Sequence, residues 1–281
     1  MKKKTLIIDE NKKKSNVPVK LIVTIALIIL CIVMIVYTVK IYVVNEKFAD
    51  SVSEIARLNS KTVFSIDRIY LYSSADANSN ETNKPVWDLD IFQFTDIAIY
   101  INNRDESGVT YENTIKTLTI DNVKFNGLET GNPKLYYKNV NDFAKLEINE
   151  ANEIKDSIEF NIVNTGDADY TKPVIHSNCQ NPVTLEYVNS EMKENTTISD
   201  ISQPLTYDGS LLQKSGISLN SIKCNLSFKV TIVNNYNQKF VATVYIDIPL
   251  EDSFTNESIY NGSIVKNMEN SNIVKFIRVE W

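Results

Sequence analysis

Residues 221–235 read SIKCNLSFKVTIVNN. Ile222, Cys224, Leu226, Phe228, Val230 and Ile232 alternate there with Lys223, Asn225, Ser227, Lys229 and Thr231. Successive side chains of an extended strand point to opposite faces. A strict period of two therefore predicts a strand with one buried and one wet face, the pattern of antiparallel sheets. After Asn234-Asn235-Tyr236-Asn237-Gln238 the alternation resumes in KFVATVYIDIPL (239–250), where Phe240, Ala242, Val244, Ile246, Ile248 and Leu250 share a face. Two long alternating runs with a short Asn-rich connection predict a β-hairpin.

Outward from this hairpin, further strand runs are VFSIDRIYLY (63–72), DLDIFQFTDIAIYI (88–101), TIKTLTIDNVKF (114–125), KLYY (134–137), SIEFNIV (157–163), VTLEYV (183–188), ISQPLTY (201–207) and NIVKFIRVEW (272–281). In 88–101 the apolar parity switches from Leu89/Ile91 to Phe92/Phe94 and back to Ile97/Ile99/Ile101. In 114–125 it switches at Asp121-Asn122. Both switches are expected to mark bulges or strand changes between sheets. The connections SSADANSNETNKP, NNRDESG, NGLETGNP and NTGDADYTKP carry turn-forming residues and read as loops. Only VNDFAKLEINEANEIKD (140–156) suits a short helix, and it is the candidate boundary between two lobes. The expected fold of residues 62–281 is all-β, a β-sandwich of about ten strands, with a jelly roll as one form of it.

The N-terminal part has a different period. From Leu21 to Val39 there are nineteen residues without a charge, inside VKLIVTIALIILCIVMIVYTVKIYVV (19–44). At about 1.5 Å per residue they span the hydrocarbon core of a bilayer as a helix. The run is longer than a secretory h-region of about 7–15 residues. The exit, Ile41 to Ala49, lacks the small residues a signal peptidase needs, and the bulky Leu30 before Cys31 speaks against lipoprotein processing. The expected reading is a permanent transmembrane helix over residues 21–44 that uses the lipid bilayer as its partner. Residues 1–20 carry seven lysines against Asp9 and Glu10, a net of +5. The positive-inside rule keeps this basic tail cytoplasmic and sends the rest across. Phe48, Val52, Ile55 and Leu58 then recur at helical spacing, so residues 45–61 read as a helical stalk.

The whole chain carries −6; removing the tail's +5 and the +1 of Lys40 leaves −12 for residues 41–281. An acidic exported region excludes nucleic acid as a natural partner and disfavours anionic lipid surfaces. Cys179 and Cys224 are the two cysteines outside the apolar run and form a candidate disulfide in an oxidising compartment. Two cysteines and the single His176 fit no zinc pattern.

Catalytic motifs are absent: no G-x-S-x-G, H-E-x-x-H or G-x-x-x-x-G-K-[ST] occurs. His176 and Cys179 lie three residues apart, the spacing of a thiolate–imidazole pair with nothing else to support it. Asp76, Asn78, Asn80 and Thr82 begin like a calcium loop, with Glu81 and Trp87 where the turn glycine and bidentate glutamate belong; Asp167 and Asp169 are a second cation candidate. Tyr100, Tyr136, Tyr137, Tyr170, Tyr236 and Tyr245 are candidates for a sugar-stacking platform. The expectation is a single-pass cell-envelope protein, not an enzyme. Its exported domain binds a glycan or protein partner or serves in envelope assembly, with no catalytic, cofactor or metal residue to name. The alternatives are an anchored enzyme acting on glycan or peptide through carboxylates, and a sensor signalling through the helix.

Overall fold

The structure, a computed structural model, describes residues 19–59, 63–83, 86–103, 110, 112–192, 196–198, 205–252 and 255–279. The chain divides into two compact units, residues 1–56 and 57–281.

The described part of the first unit belongs to one helix, α1 (Val19–Asn59). Its segment Lys20–Ala49 has a mean hydropathy of 3.0, long and apolar enough to cross a membrane, a test that a signal sequence near an N-terminus also passes. Every side chain from Lys20 to Ala49 is exposed. Of the basic tail, residues 1–20, the first eighteen lie outside the described residues, and Val19 and Lys20 begin α1.

The second unit is mostly β. Its strands are β1 (Ser65–Asn83), β2 (Val86–Asn102), β3 (Ile115–Asn126), β4 (Asn132–Tyr137), β5 (Ser157–Val163), β6 (Val174–His176), β7 (Val183–Ser190), β8 (Thr196–Ile198), β9 (Asn225–Asn234), β10 (Lys239–Asp247), β11 (Glu251–Asp252), β12 (Glu257–Ser258), β13 (Ile264–Lys275) and β14 (Ile277–Val279). Two short helices, α2 (Ser210–Lys214) and α3 (Leu219–Ile222), precede β9. One six-stranded sheet has the order β13-β1-β2-β7-β4, with β8 paired to β2 beyond the end of β7. The other has the order β14-β10-β9-β3-β5-β6, and β11 and β12 make a small third sheet. Pairing is antiparallel except between β5 and β6. Neither large sheet closes into a barrel among the described residues. Ile69, Leu71, Ile97, Ile99, Leu185 and Tyr187 of the first sheet join Leu118, Ile120, Phe228, Val230, Ile232 and Val244 of the second in one apolar cluster.

The hairpin of β9 and β10 is paired as its alternation requires, from Val233 opposite Lys239 to Asn225 opposite Asp247. Phe228, Val230, Ile232, Val244 and Ile246 are buried, while Thr243 and Tyr245 are exposed. Thr231 departs from expectation: it is only 9% exposed, flanked by Thr119 of β3 and Val241 of β10.

Four readings need correction. SSADANSNETN is not a loop: β1 runs through it to Asn83, in continuous register with β2 as far as Asn80, and small residues such as Ser73 and Ala75 fill the core face. The double parity switch of 88–101 is not a bulge, because the β1–β2 register is unbroken from Arg68–Tyr100 to Asn80–Asp88. Residues Leu89, Ile91, Gln93, Thr95, Ile97, Ile99 and Ile101 form one buried face, and Phe94, Asp96 and Ala98 on the other face are buried too. Residues 140–156 hold two single 3-10 turns, Val140–Asp142 and Glu150–Asn152, capped by Asn139 and Asn149 side chains, rather than a helix. The terminal strand candidate begins earlier than expected, as β13 at Ile264, and is split from β14 at Phe276. The switch at Asp121-Asn122 is a true bulge, with a register shift between Asp121 and Lys124 and Asn122 at φ +56°. Of the candidate strand 201–207, residues 201–204 lie outside the described residues and Leu205–Tyr207 are not in a strand.

Candidate functional site

The second buried face of β2 locates the site. Phe94, Asp96 and Ala98 would face water if this sheet had one wet side. Instead the chain leaving β4 crosses over them. The Asn139 carboxamide accepts the Asn141 N–H at 3.0 Å and turns the chain; Phe143 to Glu147 then form a strap over β1, β2 and β7. Leu146 packs against the cluster of Phe94, Tyr136 and Val188, which Tyr72 and Phe92 complete.

Charge pins the strap. Asp96 on β2 and Glu186 on β7 are direct cross-strand partners. Lys138, at the end of β4, is 1% exposed and reaches both. Its Nζ donates to Glu186 Oε1 at 2.9 Å and to the Lys145 carbonyl at 2.6 Å, and lies 3.7 Å from Asp96 Oδ1. Asp96 Oδ2 accepts the Ala144 N–H at 2.6 Å. That bond holds Ala144 at φ +66°, a left-handed conformation that costs a Cβ-bearing residue about 1 kcal/mol or more. Asp96 Oδ1 and Glu186 Oε2 close no hydrogen bond of ordinary geometry. Burial pushes the Asp96 carboxyl up to about 6 and that of Glu186 up to about 7, and Lys138 beside them pulls both back down.

A space opens on each side of the strap. On one side is a groove of about 770 Å³, lined by Tyr72, Ser74, Asp76 and Phe94 of β1 and β2, by Ala144–Glu147 of the strap, and by Thr206–Asp208 and Asn261–Ser263 opposite. The opposite wall is drawn together by Gly209, whose N–H donates to the Gly262 carbonyl at 2.6 Å. A Cβ on Gly209 would sit 2.1 Å from the Ile259 carbonyl oxygen, so no other residue fits without moving this wall. On the other side is a smaller pocket of about 190 Å³ lined by Tyr70, Tyr72, Asp96, Ala98, Tyr100 and Phe143.

The sequence named other residues. Cys179 and Cys224, the candidate disulfide, are both free thiols in the structure. Cys224 is 1% exposed within the core and faces the Tyr187 hydroxyl; Cys179 sits in the turn after β6, its N–H donating to the His176 carbonyl at 2.9 Å. Burial pushes the Cys179 thiol up to about 12, which withholds the thiolate that a pair with His176 requires. Asp76 and Asn78 lie on the extended β1, opposite Phe92 and Asp90, not in a cation loop. The side chains of Asn80 and Thr82 lie outside the described residues. Asp169 caps its own turn, accepting the Thr171 N–H at 3.1 Å and the Thr171 hydroxyl at 2.5 Å, and these bonds hold its carboxyl below the usual range. Among the described residues no three His, Cys, Asp or Glu side chains gather as a metal site. Tyr136 and Tyr137 are core residues, and the Tyr137 hydroxyl donates to the Tyr170 carbonyl at 2.9 Å. Tyr236 and Tyr245 are exposed on β10 and the turn before it, in the other sheet from Tyr100.

Lys138, Asp96 and Glu186 escaped the sequence reading because each looks like an ordinary polar residue in a strand or turn. The readable signal was the double parity of 88–101, which means burial on both faces. No protein-family model matches this chain, and neither the curated proteins nor the solved structures contain a match to it.

Proposed function

We propose that this chain is a single-pass cell-envelope protein whose β-rich domain is a two-sheet sandwich held outside the membrane and binds a glycan chain along the groove beside the strap. The basic tail supports a cytoplasmic N-terminus, since lysine-rich flanks are retained on that side. The single core cluster shared by both large sheets supports the sandwich.

The lining of the groove carries the binding reading. Tyr72 and the 43%-exposed Tyr207 offer ring surface suited to the apolar faces of sugars. Asp76, Glu147, Asp208, Thr206 and Ser263 supply acceptors and hydroxyls that suit sugar hydroxyls. The acidic lining, in a region of −12, favours neutral or cationic glycans over anionic polymers. The paired carboxylates of Asp96 and Glu186 are 2% and 0% exposed and do not line the groove, which speaks against an enzyme acting there through that pair. Binding is the reading this favours.

Co-sedimentation of the full-length protein, purified in detergent, with insoluble cell-wall glycan tests it. Retention that falls about threefold to tenfold in Tyr207→Ala is expected from the loss of one stacking ring. Absence of retention, or equal retention of the variant, overturns the glycan reading.

A further inference from the structure

The smaller pocket has a chemistry unlike that of the groove, and it stands apart from the glycan reading. Tyr70 and Tyr72 on β1 flank Ala98 and Asp96, their direct partners on β2, and Tyr100 lies one step further along β2 on the same face. Cross-strand diagonal neighbours are about 7–8 Å apart, close enough for rings to enclose a small group. Phe143 of the strap closes the remaining side. Tyr70 and Tyr100 are 42% and 39% exposed, so the rings are open to a ligand. Ala98 leaves the floor empty where any larger residue would fill it. The volume of about 190 Å³ equals that of about six waters in the liquid.

Beneath the rings lies Asp96, buried, with Oδ1 accepting no hydrogen bond. Asp96 and Glu186 share the single Lys138, so the cluster is one positive charge short when both carboxylates are ionised. Lys145 and Glu147 of the strap and Arg68 on β1 are further charged groups near this face. Arg68 stands at the rim, 5.6 Å from the Tyr100 ring centroid, and is neutralised by Glu269 at 3.1 Å. A ring of this wall thus already faces a cation. An anion would meet the carboxylate, and a neutral apolar group would leave the missing charge uncompensated.

We infer that the pocket of Tyr70, Tyr72, Tyr100 and Phe143 over Asp96 binds a compact organic ammonium group. The aromatic faces attract the cation through their quadrupoles, and Asp96 supplies the counter-charge from below. Burial raises the carboxyl of Asp96 when the pocket is empty, so a bound cation also favours its ionised form.

Titration calorimetry of the full-length protein, in a maltoside detergent without choline headgroups, tests this with choline as probe. Its neutral isostere 3,3-dimethyl-1-butanol is the control. Choline is expected to bind at least about tenfold more tightly than the isostere, and Tyr100→Leu to weaken choline by roughly threefold to thirtyfold. Asp96→Asn keeps an acceptor for the Ala144 N–H and so keeps the strap seated, yet it should bring choline down to the affinity of the isostere. Phosphocholine separates two sources of the same head: affinity equal to or above that of choline indicates an ammonium carried on a phosphodiester, and weaker affinity a free cation. Equal binding of choline and its isostere, unchanged choline affinity in Tyr100→Leu, or no saturable choline binding would each overturn the assignment.

Discussion

Asp96 and Glu186 face each other across β2 and β7 with one cation, Lys138 Nζ, serving both, 2.9 Å from Glu186 and 3.7 Å from Asp96. Removing that cation leaves two buried carboxylates without a counter-charge, and breaking a buried pair from one side costs about 3–5 kcal/mol. Lys138→Met is therefore expected to lower the melting temperature sharply at pH 8. Adding Asp96→Asn and Glu186→Gln to the same variant should recover most of the loss. Thermal melts of the three proteins decide it; an undisturbed single variant would mean that the ion pairs do not hold the strap.

The same cluster sets a pH dependence of known sign. Both carboxyls titrate higher in the folded chain than the ordinary carboxylate range, so between about pH 4 and 7 the folded state holds more protons than the unfolded state. Stability from this source is fully present at the acid end and is lost as pH rises through about 6 and about 7. Subtracting the stability profile of the Asp96→Asn/Glu186→Gln protein from that of the wild type isolates this contribution. The difference should grow in favour of the double variant from pH 5 to 8, and a flat difference would contradict the raised values.

Strand periodicity carried most of the fold, because burial on a two-faced sheet writes itself as alternation. The β9–β10 hairpin, β5 and the bulge at Asn122 were legible for that reason. Two things were not. Small residues such as Ser73, Ala75 and Ala77 face the core along the second half of β1, and a core face without large apolar side chains reads as a loop. The strap hides the outer face of β2, so Phe94 and Asp96 became core residues through a long-range contact whose one local trace is the double parity of 88–101.

Thr231 shows how far alternation misleads at a central strand. β9 lies between β3 and β10, so Thr231 is enclosed by Thr119 and Val241, whereas Thr243 on β10 is exposed opposite Lys229. Ile232→Asp is expected to cost several kcal/mol, through lost apolar burial and a buried charge. Thr231→Asp should cost about 1–3 kcal/mol, and Thr243→Asp less than about 0.5 kcal/mol because Lys229 is its cross-strand partner. Denaturant titrations rank the three, and equal losses at 231 and 243 would place Thr231 in water.

Two free thiols, Cys224 buried and Cys179 half-buried, make a separate prediction. The Cys179 thiol is pushed up to about 12, and burial raises that of Cys224 as well. Iodoacetamide at pH 8 should leave both unmodified in the folded protein and label both in denaturant without prior reduction. A requirement for reductant before labelling would show instead that Cys179 and Cys224 are bridged.

Membrane topology can be read from one exposed residue of the β-rich unit. Asn78 lies on β1 opposite Asp90, its side chain exposed, so a cysteine there reports the compartment without disturbing the core. Asn11 lies in the lysine-rich tail. On intact cells a membrane-impermeant maleimide should label Asn78→Cys and spare Asn11→Cys, the outcome expected if the tail's +5 follows the positive-inside rule. After lysis both should label. The tagged protein should also keep the mass of the uncleaved chain, because residues 41–49 lack the small-residue pair of a cleavage site. Labelling of Asn11→Cys alone on intact cells would invert the orientation, and a mature form beginning near Asp50 would make α1 a signal sequence rather than an anchor.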